Sequence, residues 1–187
     1  MIDSKSSYKY FVKCDENANG WGNPKSHRPF YIADEINKYL KILRKREFLL
    51  FKTEKETKKY KIYGLLIYQK FLNYKMHKLG IKLGFNIPVN TIGPGFKINH
   101  WGFLAINSNS KIGKNCQVFG DVTIGSKDHK SSEAPVIGDN VVIGAGARII
   151  GPIKIASNCV IGANAVVIND VLEEGSTVVG IPARIVK

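Results

Sequence analysis

Cysteine, histidine and acidic residues are all scarce in this chain of 187 residues. Its three cysteines, Cys14, Cys116 and Cys159, show no CxxC spacing, which argues against a disulfide framework and against a zinc site. Only four histidines are present and the acids are scattered, so no metal is expected. Fifteen acidic residues stand against 28 basic ones, a formal net charge of +13. Such a surface favours acidic partners, but charge alone does not specify one, and no nucleic-acid motif accompanies it. No run is apolar enough to cross a bilayer, and the polar opening MIDSKSSYKY is not that of a secretory signal. A reducing, cytoplasmic setting is the expectation.

What the chain has instead is a count of six. Aliphatic residues recur at Ile92 and Ile98, at Ile106, Ile112, Val118 and Ile124, and at Ile137, Ile143, Ile149, Ile155, Ile161 and Val167, with Val179 and Ile185 resuming the phase after Glu173. Gly often follows the aliphatic, as at Gly113, Gly138, Gly144 and Gly162. A small or β-branched residue stands four places on, as at Ser110, Cys116, Val141, Ala147, Cys159 and Ala165. A fixed short period marks a solenoid, whose repeats bury their apolar faces only by stacking. Six residues are too few for a strand and its return, and an α-helix would scatter these positions around its surface. The consistent solution is a triangular coil of three hexads per turn, aliphatics inside, Gly at the corner and stacked strands about 4.8 Å apart. In this arrangement Cys116 and Cys159 fill inward slots as inert core residues.

Upstream the pattern differs. Residues 1–30, with Gly20, Gly22, Pro24 and Pro29, read as an irregular lead-in. Helical spacing is expected from Ala33 to about Phe51 and again from Lys58 to Leu79, linked by Thr53–Thr57. Gly80, Gly84 and Pro88 end that region. The division expected is therefore a lead-in with a helical appendage over 1–85 and a coil over 86–187, the helices covering the coil's open end. Many of the lysines and arginines lie on these helices, either as a solvated face or as a patch for an anionic glycan or a membrane surface.

The segments NIPVNTIGPGFKINHWG, KIGKNCQVFGDVTIG, PVIGDNVVIGAGARIIGPIKI, VIGANAVVINDV and VVGIPARIV resemble the hexapeptide-repeat acyltransferases, in particular serine acetyltransferases and related capsule and polysaccharide O-acetyltransferases. The resemblance implies a left-handed parallel β-helix, acetyl-CoA as acyl donor, and a homotrimer with sites between subunits. It places the catalytic base at His100 and lines the donor's pantetheine arm with Gly125, Ser126, Ala145 and Ala163. Arg184 and Lys187 are candidates for the CoA phosphates on charge and position.

Two irregularities carry the chemistry. Ile98 to Ile106 spans eight residues where six would serve, so the coil bulges at His100. Imidazole is the side chain able to take a hydroxyl proton near neutral pH, and backbone N–H groups of nearby turns could hold the resulting oxyanion. His27 and His77 lie outside the coil, where surface or packing roles are expected. Ile124 to Ile137 spans thirteen residues, so GSKDHKSSEAP must leave the coil as a loop.

In serine acetyltransferases the matching loop carries Arg-His-Pro and an Asp precedes the base. Here Glu133 and Ala134 precede Pro135, His129 is out of register, and Asn99 precedes His100. A neutral Asn99, and Trp101 as a platform for a sugar ring, favour a saccharide hydroxyl as acceptor, with His129 and Glu133 as further contacts. Serine O-acetylation and N-acetylation of a nucleotide sugar are the alternatives.

Overall fold

The computed structural model describes residues 1–20, 32–128 and 133–186. Among the described residues three helices, α1 (Lys5–Ala18), α2 (Ile32–Lys55) and α3 (Lys59–Leu83), precede fourteen short strands numbered in chain order. The first face of the coil stacks β1 (Phe85–Asn86), β3 (Leu104–Ile106), β6 (Val122–Gly125), β9 (Arg148–Ile150) and β12 (Val166–Val167). The second stacks β4 (Lys111–Ile112), β7 (Val136–Ile137) and β10 (Lys154–Ile155), extended by bridges at Ile92 and Val171. On the third lie β2 (Lys97–Ile98), β5 (Gln117–Val118), β8 (Val142–Ile143), β11 (Val160–Ile161) and β13 (Thr177–Gly180), with β14 (Ala183–Ile185) at its edge. The result is five turns of a left-handed parallel β-helix.

Register shows how the hexads build it. Val142 pairs with Val160, eighteen residues and three hexads away. Lys97 pairs with Gln117, twenty away, the excess being the bulge. Gln117 pairs with Val142, twenty-five away, the excess being the loop. The aliphatics from Ile98 to Val167 point inward and none is more than 5% exposed, while Cys116, Val141, Ala147, Cys159 and Ala165 are fully buried beside them.

The corners work differently from the expectation that Gly turns them. Left-handed backbone falls three places after the aliphatic, at Asn115, Asp121, Asn140, Asn158 and Asn164, with φ between 56° and 62°. Asn tolerates that conformation and adds a side-chain ladder: Asn115 Nδ2 donates to Asn140 Oδ1 at 3.3 Å, and Asn140 Nδ2 to Asn158 Oδ1 at 3.0 Å. Glycine directly after the aliphatic serves close stacking. A Cβ at Gly113 would lie 2.5 Å from the Gly138 carbonyl oxygen, and one at Gly144 would lie 2.6 Å from the Ala163 nitrogen.

Three other expectations need correction. Val179 and Ile185 are 39% and 50% exposed, while Val178 is buried. The chain turns back at Gly180–Ala183 so that β14 pairs antiparallel with β13, and the hexad phase ends there. The lead-in contains helix α1, opened by a capping box between Ser4 and Ser7. Helix α3 runs on through Gly80 to Leu83 and stops at Gly84, whose φ is 78°.

The helices close the first coil as a missing preceding coil would. Buried Arg44 donates from Nε to Asp15 Oδ2 at 2.7 Å, and from Nη1 to Glu47 Oε2 at 3.0 Å and the Ile92 carbonyl at 2.9 Å. Its Nη2 donates to the Gly93 carbonyl at 2.6 Å. Asp15 Oδ1 accepts the Gly95 and Phe96 N–H groups at 2.8 and 3.1 Å, and Glu47 Oε1 accepts that of Asn90 at 2.7 Å. Burial works against the Arg44 charge, but the two carboxylates outweigh it and raise its pKa. Tyr39, Leu40, Leu43 and Leu83 share one apolar core with Phe85, Ile87, Ile92 and the inner coil.

Candidate active site

His100 stands on the edge of the prism where the third face turns into the first. The bulge that carries it is pinned at both ends. The backbone N–H and Nδ2 of Asn99 both donate to the Val118 carbonyl, at 3.0 and 3.1 Å. The Gly102 N–H donates to the Leu83 carbonyl at 2.9 Å and the Leu104 N–H to the Gly84 carbonyl at 2.8 Å, so the C-terminus of α3 anchors the far side. Gly84 is required here, because a Cβ would lie 2.7 Å from the Gly102 carbonyl.

One coil further on, register brings Phe119 and Gly120 beneath the histidine. The His100 and Phe119 rings lie 6.0 Å apart at 43°, and a Cβ on Gly120 would sit 3.7 Å from His100 Cβ. Neither residue stood out in the sequence, although adding twenty, the local coil length, to His100 points to Gly120. The imidazole is exposed, and so are Trp101 and Phe103, at 58% and 55%. Asp121 on the same edge is engaged by Arg148, whose Nη2 lies 3.1 Å from Asp121 Oδ1.

The other candidate residues fall into separate groups. Ala145 and Ala163 are exposed on the His100 edge, stacked in successive coils, with the Asn164 N–H donating to the Ala145 carbonyl at 2.8 Å. Gly125 and Ser126 lie on the next edge, across the first face. Ser126 Oγ donates to the Asp128 carbonyl at 2.7 Å, and Asn107 Nδ2 lies 3.3 Å from it. A Cβ on Gly125 would meet nothing nearer than 3.9 Å, so packing does not demand glycine there. Exposed Glu133 lies where the long loop returns to that edge. Arg184 is on β14, five strand spacings from β2 and thus about 24 Å along the stack. Its guanidinium donates to the Ala183 carbonyl at 3.0 Å. His27, His129 and Lys187 lie outside the described residues. Among the described residues no group of three or more His, Cys, Asp or Glu could hold a metal, and no helix is long and apolar enough to cross a membrane.

Residues 134–169 match the family described as bacterial transferase hexapeptide (six repeats). Together with the stacked faces, this match defines the coil as a hexapeptide-repeat β-helix. Over 69 residues the chain is 36% identical to the serine acetyltransferase of Mycobacterium tuberculosis and 45% identical to that of Staphylococcus epidermidis. These stretches are 36% of this chain and 30% and 32% of those proteins. The chain thus matches about a third of the length of these curated relatives. Similarity extends further in three dimensions. The serine complex of Neisseria gonorrhoeae serine acetyltransferase superposes with a TM-score of 0.69 at 25% identity, over 96% of this chain and 69% of that one. The coenzyme A complex of the Brucella abortus enzyme superposes with a TM-score of 0.70 at 23% identity, over 97% and 68%.

Proposed function

We propose that this chain is an acetyl-CoA-dependent O-acetyltransferase with His100 as general base. The observation that carries the proposal is a solvent-facing histidine in an anchored bulge, on a coil similar in sequence to serine acetyltransferases. The acceptor oxygen attacks the acetyl carbonyl carbon as its proton passes to the His100 imidazole. The tetrahedral oxyanion is held by backbone N–H groups until it collapses, expelling the CoA sulfur, which takes the proton back as the thiol. Ala145 and Ala163 give the donor's arm a smooth edge, and Gly125 offers open backbone on the neighbouring edge. Arg184 stands far enough along the stack to meet a phosphate of an extended CoA. His100 and Gly125 occupy different edges, which supports a homotrimer whose sites form where the edge of one subunit meets the next.

L-serine is the favoured acceptor. The neutrality of Asn99, which suits a saccharide, has another reason in the structure: its amide donates to the Val118 carbonyl, which a carboxylate could not do. Exposed Trp101 keeps a saccharide as the second reading. Acetyl-CoA is incubated with L-serine, with mono- and oligosaccharides and with nucleotide sugars, and thiol release and product mass are followed. O-acetylserine at kcat/KM above about 10⁴ M⁻¹s⁻¹ establishes the serine reading. An alkali-labile sugar ester replaces it with the saccharide reading, and an alkali-stable amide with N-acetylation. No thiol release with any acceptor overturns acetyl transfer.

A further inference from the structure

Helix α3 carries apolar residues on a side that no other described residue covers. Its packed side carries Leu72, Met76, Gly80 and Leu83. Around the opposite side, at helical spacing, run Tyr60, Tyr63, Ile67, Phe71, Tyr74 and Ile81, between 49% and 71% exposed. The stripe is about 32 Å long at 1.5 Å per residue. A helix apolar all round is normally covered all round, so this face calls for an occupant.

Charge selects which one. From Lys59 to Leu83 the helix has six lysines and no Asp or Glu. Lys59, Lys70, Lys75 and Lys78 are exposed, and among the described residues no carboxylate pairs with them. Lys75 Nζ lies 4.6 Å from the centre of the Phe71 ring, and Lys78 Nζ 5.1 Å from that of Tyr74, so the cations lie beside the aromatic stripe. An open groove of about 410 Å³ flanks it, lined by Tyr63, Ile67 and Gln69 with Lys70 and one further cation, Arg46. Arg46 is half-buried and donates to the Met76 sulfur at 3.5 Å, and among the described residues no carboxylate pairs with it. Two such helices face to face would bring lysines together with no acid between them. A surface that is apolar at one depth and anionic at the next satisfies both halves of the face.

We infer that α3 lies in the plane of an anionic phospholipid surface, with Tyr63, Ile67, Phe71 and Tyr74 at the acyl boundary and Lys70, Lys75, Lys78 and Arg46 on the headgroup phosphates. Tyrosine suits that boundary because its ring is apolar and its hydroxyl remains wet. This holds whatever the coil acetylates. The test is sedimentation of the whole chain with vesicles of phosphatidylcholine alone or with about a third phosphatidylglycerol. Binding should be at least about tenfold stronger to the anionic vesicles and fall at least about tenfold when salt rises from about 0.1 to 0.5 M.

The triple variants Tyr63→Ser/Ile67→Ser/Phe71→Ser and Lys70→Gln/Lys75→Gln/Lys78→Gln should each weaken binding by about tenfold or more with an unchanged circular dichroism spectrum. Equal binding to neutral vesicles, full binding by the serine variant, or no binding to either vesicle overturns the inference. So does a wild-type assembly that the serine variant dissociates while vesicles capture neither, which makes the stripe an interface between copies.

Discussion

Gly120 lies close to the candidate chemistry, and in the sequence only the local coil length counted from His100 points to it. It lies under His100 with room for a methyl group and little beyond, a Cβ there being 3.5 Å from the Trp101 carbonyl oxygen. Gly120→Ala should leave acetyl transfer within about threefold, whereas the branched side chain of Gly120→Val should displace the histidine and lower kcat by about tenfold or more. His100→Ala should lower kcat by about 10²–10⁴-fold with little change in acetyl-CoA binding, as single-turnover and equilibrium measurements would show. Cys116 is a contrast. Burial pushes its thiol up to about 11, and its Sγ lies 3.1 Å from the Gly138 carbonyl oxygen. The folded chain at pH 8 should therefore label at Cys14, which is half-buried, and spare Cys116. A thiol whose pKa is raised on folding contributes stability below its unfolded value of about 9, and that contribution is lost as pH rises toward 11. Urea midpoints should fall over this window, and less steeply in Cys116→Ala.

Elements with a hydrophobic period were legible, α2 included despite its buried Arg44 and Glu47, whereas α1, which lacks such a period, was not. Each inward aliphatic is a strand position repeated every six residues, so the coil, the bulge and the loop could be counted directly. Helix α1 was missed because the two residues it buries are Phe11 and Asp15, and a buried carboxylate leaves no hydropathy signal. Its purpose shows only once Gly95, Phe96 and Arg44 surround it. Removing one member of that network strands the others: Asp15→Ala should cost about 3–5 kcal/mol in urea unfolding, because the buried guanidinium loses one of its two carboxylates and the Gly95 and Phe96 N–H groups lose their acceptor. Arg44→Met should cost at least as much as Asp15→Ala, since it leaves two buried carboxylates, Asp15 and Glu47, without their cation. The C-terminal hairpin misled the count for a related reason. Val179 and Ile185 keep the period in sequence, but the reversal at Gly180–Ala183 turns them outward.

At the scale of the molecule, the candidate site divides between two edges of one prism. His100, Ala145 and Ala163 share an edge, while Gly125, Ser126 and Glu133 belong to the next. One chain presents both halves in different directions, and the proposed three-fold ring would bring the first half of each subunit against the second half of its neighbour. The outer coil surface also leaves Val136, Val160, Ile168 and Leu172 between 38% and 68% exposed, apolar area that such contacts would cover. Light scattering should give about 62 kDa, three times the 20.8 kDa chain, and a stable monomer would require the site to be built within one subunit. Mixing separates these arrangements more sharply. A His100→Ala chain and a Gly125→Trp chain should each be inactive alone, the first for want of a base and the second because indole fills the donor's path. Dissociated and reassembled together, they should regain up to about a quarter of the wild-type rate, since about one interface in four then pairs an intact His100 with an intact Gly125. If His100 and Gly125 of the same chain served one site, mixing would restore nothing.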